Sequence, residues 1–225
     1  MVFIMVRVKA KGKQRKYWII AYAPELLGGT NKPLAKILYF EPEELINKIV
    51  IVKGLEFTRS FEDRAMNLYF RIVKVTPAGA YTTLIGHDYA REIITSKVRR
   101  RMSKVELITR VYTKDGHRVK VSILAMTTSR CDRIHKKKIR RILNEFVNEK
   151  AKDYTYEELI YNLSIRKTWH NEIVSMISKV YPIREFLIYK TRAETVIIPT
   201  DQIKNSVENK EEILKSAETF SKKAV

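Results

Sequence analysis

The chain has 225 residues, 45% of them hydrophobic, enough to bury a core as one domain or as two small subdomains. It carries 44 Lys and Arg against 25 Asp and Glu, a formal net charge of +19, and one cysteine, Cys131. A lone cysteine excludes a disulfide framework and a clustered thiolate metal site and fits a reducing interior. No apolar stretch reaches the roughly 18 residues of a membrane span, and Met1 to Met5 is too short for a signal peptide. Charge of this size repels itself in the compact state and calls for a polyanion.

Residues 1 to 16 read as a basic flexible arm, because Lys-rich sequence without apolar period cannot offset the entropy of ordering. The apolar Val2 to Ile4 ahead of Met5 predicts that translation starts at Met5. Residues 17 to 199 read as a single α+β domain, β-rich over 17 to 126, helical over 130 to 180 and closed by strands over 183 to 199. Residues 200 to 225 read as a polar tail.

Tyr17 to Ala23 is aromatic and β-branched, a strand ended by Pro24 and by Gly28-Gly29. Leu34 to Phe40, Lys48 to Phe57, Met66 to Val75 and Ala80 to Ile85 are further strands between turn signals. Gly86-His87-Asp88 reads as a turn in which Asp88 caps a helix to about Lys97, with Tyr89 and Ile93 inward. Val105, Leu107, Thr109 and Val111 alternate against Val119, Val121, Ile123 and Ala125 across Asp115-Gly116, which predicts a hairpin. Lys104, Glu106, Arg110, Arg118, Lys120 and Ser122 fall on its wetter face.

From Asp132 the period becomes helical, with Ile139, Ile142, Leu143, Phe146 and Val147 in one stripe. Thr155 with Glu158 makes a capping box for a second helix, and a third starts at Thr168 and ends before Tyr181-Pro182. Ile183 to Thr191 and Glu194 to Ile198 are predicted to return to the first-half sheet.

The positive charge is concentrated. Six basic residues and no acid lie within residues 1 to 20, and seventeen basic against four acidic within 91 to 141. A merely solvated face would spread its excess along the chain, so the pattern points to a nucleic-acid footprint. A membrane-surface helix ranks lower, because the basic blocks adjoin ordinary core stripes. The candidate RNA contacts are Lys11, Lys13, Arg15 and Lys16 of the arm, then Lys97, Arg99, Arg100, Arg101 and Lys104. Arg118 and Lys120 of the hairpin join them, with Arg130, Arg133, Lys136, Lys137, Arg140 and Arg141 at a helix start. Arginine forks suit phosphate oxygens, and cations in a first helical turn oppose the macrodipole unless an external anion joins them. Trp18 beside the arm can stack on an unpaired base, although a strand-head aromatic more often belongs to the core.

Catalysis finds no seat. His87, His117, His135 and His170 lie far apart without metal-ligand spacing, and no phosphate loop or nucleophile elbow occurs. A metal-dependent nuclease would need clustered carboxylates, whereas Glu43-Glu44 and Glu62-Asp63 read as solvated loop or helix-start residues. No cofactor and no metal are predicted.

Gly86-His87-Asp88, Ser96 through Arg101, Ser103 to Glu106, Thr113 to Gly116 and Arg118-Val119 resemble, in order and spacing, the archaeal and eukaryotic small-subunit ribosomal protein family S-three-A-e, also called eS-one. Tyr17-Trp18, Ala23-Pro24, Gly54 to Glu56, Ile139 to Arg141 and Tyr181-Pro182 extend the likeness over roughly residues 13 to 200. The resemblance implies a β-barrel-like antiparallel core with flanking helices. It also implies a non-enzymatic, cytoplasmic role on the platform of the small ribosomal subunit, near the mRNA exit and the 3′ end of the small-subunit RNA. The implied partners are small-subunit ribosomal RNA, neighbouring small-subunit ribosomal proteins and mRNA near the exit, with no membrane. Apart from the resemblance, the footprint also allows an RNA-binding factor of ribosome assembly or translational control.

Overall fold

The computed structural model describes residues 16–29 and 32–194. The basic arm to residue 15 and everything from residue 195 on, including most of the second closing strand, lie outside the described residues. In chain order the strands are β1 (Tyr17–Tyr22), β2 (Pro33–Tyr39), β3 (Ile49–Lys53), β4 (Met66–Thr76), β5 (Gly79–Tyr89), β6 (Lys104–Tyr112), β7 (Arg118–Thr127) and β8 (Ile183–Ala193). The helices are α1 (Leu55–Thr58), α2 (Arg91–Lys97), α3 (Arg133–Asp153), α4 (Tyr156–Tyr161) and α5 (His170–Ser178).

All eight strands share one sheet, in the order β2-β1-β5-β8-β7-β6, with β4 also on β5 and β3 on β4. β5 is the branch point. One of its edges takes β1 in parallel at Ala21↔Ala80 and, farther along, β8 in antiparallel from Gly86↔Arg192 to Asp88↔Lys190. Its other edge pairs with β4 along its whole length, with two register shifts that coil the pair. This corrects the barrel-like expectation. An eleven-residue strand has room for two partners on one edge, so the sheet branches, and no pairing among the described residues closes it on itself. The α+β class holds.

The alternating residues form the core. Met66, Leu68 and Phe70 of β4, Val105 and Val111 of β6, and Val119, Val121, Ile123 and Ala125 of β7 bury together with Ile139, Leu143, Phe146 and Val147 of α3. The Thr155 capping box is present: its hydroxyl accepts from the Glu158 amide while the Glu158 carboxylate accepts from the Thr155 amide. A second, smaller cluster of Ile19, Ala21, Leu45, Ile72, Val75 and Ala80 supports the β1–β2 hairpin.

Three local expectations are corrected. The strand read over Lys48 to Phe57 stops at Lys53, where the Gly54 amide donates to the Met66 carbonyl and the chain turns into α1. Gly86-His87-Asp88 is not a turn but the end of β5. Its partner β8 presses so closely that a Cβ at residue 86 would collide with the Thr191 carbonyl oxygen, and only glycine admits the pairing. Asp88 therefore caps no helix; it accepts from the Lys190 ammonium at 2.7 Å, and α2 begins after Ala90 without a side-chain cap.

Candidate nucleic-acid interface

Two basic segments that the sequence separates by about thirty residues meet at one end of the β6–β7 hairpin. The Ser103 and Thr127 backbones face each other, with the Thr127 amide donating to the Ser103 carbonyl at 3.1 Å. The Ser103 amide donates to the Thr127 hydroxyl at 3.0 Å, and the Ser103 hydroxyl accepts from the Cys131 amide at 3.0 Å. These bonds hold the loop Arg99 to Arg101 beside Arg130 and the first turn of α3. The Tyr181 hydroxyl donates to the Arg130 carbonyl at 2.8 Å and fixes that entry from the far side.

Arg99, Arg100, Arg101, Arg130, Arg133 and Lys137 are exposed and Lys136 is half-buried, and among the described residues none forms an ion pair. Arg101 sits in the left-handed region at φ +66°, which turns the loop sharply into β6. The first turn of α3 contains no acid, and the N-cap Asp132 is the one carboxylate at this helix start and makes no side-chain cap. Cys131 is buried beneath this end, and burial pushes its thiol pKa up, consistent with an inert thiol.

Other predicted contacts are already engaged. Lys97 donates to Glu185 at 2.6 Å, Lys104 to Glu106 at 2.9 Å and Arg141 to Glu145 at 2.8 Å, while Arg140 Nε donates to the Glu106 backbone carbonyl at 3.0 Å. Hydrogen bonds from Tyr189 and then Lys104 hold the Glu106 carboxyl below its ordinary range, and burial raises Tyr189 to about 12.

Arg118 and Lys120 stand apart from this end. Arg118 lies opposite Tyr112 and Lys104 opposite Met126, so the hairpin separates the two ends by roughly 27 Å at 3.4 Å per residue. Arg118 pairs with Glu194 at 2.8 Å. Lys16 and Trp18 form a third surface on β1, where Lys16 lies 5.5 Å from the Phe40 ring centroid and Trp18 is 70% exposed. Tyr17 is the partly buried member of the pair, 6.0 Å from Tyr39. Lys11, Lys13 and Arg15 lie outside the described residues.

Sequence reasoning missed Arg71, Lys190 and Arg192, which share the open face of the sheet with Lys120 around one depression. Period-two alternation within β4 and β8 is the signal that bears on them. Which strands lie side by side was the lacking signal. Asp63 was also misread: it is buried, accepting from the Tyr89 hydroxyl at 2.7 Å and from Lys167 at 2.8 Å, because its 3₁₀ turn tucks under the helical layer. Among the described residues no group of three or more His, Cys, Asp or Glu could hold a metal ion, and no helix is long and apolar enough to cross a membrane. His87 is fully engaged in the interior, with Nδ1 2.7 Å from the Thr191 hydroxyl and Nε2 2.9 Å from the Ile188 carbonyl.

The chain is thus an α+β protein with clusters of cations on open surfaces of the described residues. The model of the Ribosomal S3Ae family matches residues 6–196, and the chain belongs to that family. It is 35% identical over 195 residues to a protein of Desulfurococcus amylolyticus named small ribosomal subunit protein eS1, covering 87% of this chain and 89% of that one. Proteins of the same name from Staphylothermus marinus and Sulfurisphaera tokodaii are each 32% identical, the first over 87% of this chain and 89% of its own length, the second over 82% and 94%.

Proposed function

We propose that the chain is a structural constituent of the small ribosomal subunit, of archaeal type, that holds folded ribosomal RNA in place in the cytoplasm and catalyses no reaction. Residues 17 to 199 act as one RNA-holding domain between a basic arm and a polar tail. The platform near the mRNA exit and the 3′ end of the small-subunit RNA is the seat that the family resemblance suggests, with neighbouring small-subunit ribosomal proteins and exiting mRNA as further contacts. Family membership supports the ribosomal role. The observation that carries the RNA reading is the basic end, where Arg99 to Arg101 and the start of α3 are tied together without a carboxylate partner. Such a fork of arginines suits phosphates from two backbone segments at once, and recognition of this kind rests on shape and phosphate more than on bases.

The test is RNA affinity against salt, with a platform fragment of small-subunit RNA and an unrelated structured RNA, for the wild type and an Arg99→Ala, Arg100→Ala, Arg101→Ala variant. Preference for the platform fragment and a salt slope flattened by about 2 to 3 in the variant are the expected results. Equal affinity for both RNAs leaves a general RNA binder, for which loss from ribosomal particles in a high-salt wash is the companion observation. A salt-independent interaction defeats the reading.

A further inference from the structure

The face of the sheet that carries Tyr69 and Arg71 holds a row of side chains that no single segment reveals, and α4 meets this face at Thr83, the partner of Arg71, through the Tyr156 hydroxyl. The pairings place Ile51, Tyr69, Gly86, Arg192, Lys120 and Arg110 in register across β3, β4, β5, β8, β7 and β6. Residues opposite one another in a ladder share a face, so this is one continuous line from an apolar and aromatic end to a cationic end. Gly86 has no side chain in the middle of the row, and the β8 backbone at Thr191 lies close against it. A cavity of about 260 Å³ opens there, with Tyr69, Arg71 and Ile51 on one side and Lys190 and Arg192 on the other.

The charge of this face is unbalanced. Glu194 is held by both Arg110 and Arg118, at 3.0 and 2.8 Å, and Asp88 by Lys190. Arg71, Lys120 and Arg192 then form no ion pair among the described residues, and the Nε of Arg71 is buried without a hydrogen-bond partner. Arg71 also lines the cavity, and a guanidinium there can meet an oxyanion through its terminal N–H groups. Tyr69 is half-buried and lines this cavity.

We propose that this face is a second RNA-binding site, specialised for a single strand. An unpaired base enters the cavity between Tyr69 and Arg192, and the adjoining phosphates lie on Arg71, Lys120 and Arg192. Duplex RNA does not fit this description, because its bases are stacked within the helix and only a single strand can present one to a cavity. The class of ligand rests on the RNA-binding reading above; the site is independent of the arginine end. Charge complementarity selects RNA over an apolar protein partner, since three unpaired cations line the groove.

The experiment uses the full chain with a fluorescent uridine decamer and a ten-base-pair RNA duplex, followed by anisotropy. The variants are Lys120→Gln with Arg192→Gln, Tyr69→Leu, and the triple alanine variant of Arg99 to Arg101. The Lys120/Arg192 variant is expected to weaken decamer binding about tenfold and Tyr69→Leu about fivefold, with duplex affinity changed less than twofold by Tyr69→Leu. Photocrosslinking of a 4-thiouridine decamer to the wild type needs no substitution and is expected to mark the peptides carrying Tyr69 or Arg192. Decamer affinity within twofold of wild type in both variants, or crosslinks confined to residues 98–103 and the start of α3, would overturn the proposal. So would a glutamate decamer that binds as tightly as the RNA and is weakened by the same variants, which would assign the face to an acidic protein segment. If the decamer results hold while the triple alanine variant keeps its full salt slope on structured RNA, the arginine-end reading alone fails.

Discussion

Lowering the pH should weaken this protein through His87 in a way that one substitution can isolate. The imidazole is wholly buried, and desolvation is the main cause that lowers its pKa from the ordinary 6.5 to about 4. Nε2 faces the Ile188 carbonyl, which only accepts, so Nε2 carries the proton. Nδ1 then accepts from the Thr191 hydroxyl, which in turn accepts from the His87 amide at 3.3 Å. Between pH 6.5 and 4 the unfolded chain binds a proton at this residue that the folded chain refuses, so stability falls as pH falls through that window and the loss levels off below 4. Linkage puts the loss at about 2 kcal/mol between pH 7 and pH 5, within a ceiling of roughly 3 kcal/mol set by the distance between the two pKa values. Urea unfolding of the wild type and of His87→Gln, followed by the fluorescence of the buried Trp169, measures it. The wild type should lead at pH 7 and its lead should shrink by about 2 kcal/mol at pH 5. A lead constant within about 0.5 kcal/mol would show that His87 does not sit neutral in the interior and would refute the reasoning.

Two other perturbations follow from the same interior. Asp63→Ala removes the acceptor of both the Tyr89 hydroxyl and the Lys167 ammonium; because Lys167 is one-third exposed, water recovers part of the loss, and about 2 to 3 kcal/mol of stability should go. A melting temperature within one degree of wild type would contradict that. Gly86→Ala forces its new methyl group against the Thr191 carbonyl, so the β5–β8 ladder must open at a cost of about 3 kcal/mol. Hydrogen exchange should speed up at Asp88 and Thr191, and unchanged protection there would mean that β8 has room to retreat.

The β6–β7 hairpin was legible in register and turn, since alternation over Val105 to Val111 and Val119 to Ala125 leaves one register and Asp115-Gly116 supplies the turn; Ser122, read on the wetter face, is instead buried beside β8. The apolar stripe of α3 and the Thr155 capping box were read correctly for the same reason: their partners lie within three to eight residues along the chain. The basic end was half legible. Its two charged segments were visible, but their junction rests on Ser103 bonds to Thr127 and Cys131, 24 and 28 residues away. The Gly86-His87-Asp88 segment was misread because glycine and aspartate favour turns by local chemistry. Here β8 overrides that preference from about a hundred residues away, through His87 to Thr191 and Asp88 to Lys190.

By itself the sequence determined the alternating strands, the helical stripe, the Thr155 capping box and the places where charge accumulates, because each is decided by side-chain period and by neighbours a few residues apart. Tertiary structure decided that the sheet branches at β5 instead of closing, that Asp63 and His87 are interior groups, and that Tyr69, Arg192 and Lys120 stand in one row. Strand adjacency depends on which distant backbone groups pair, and backbone hydrogen bonds carry no residue-specific label.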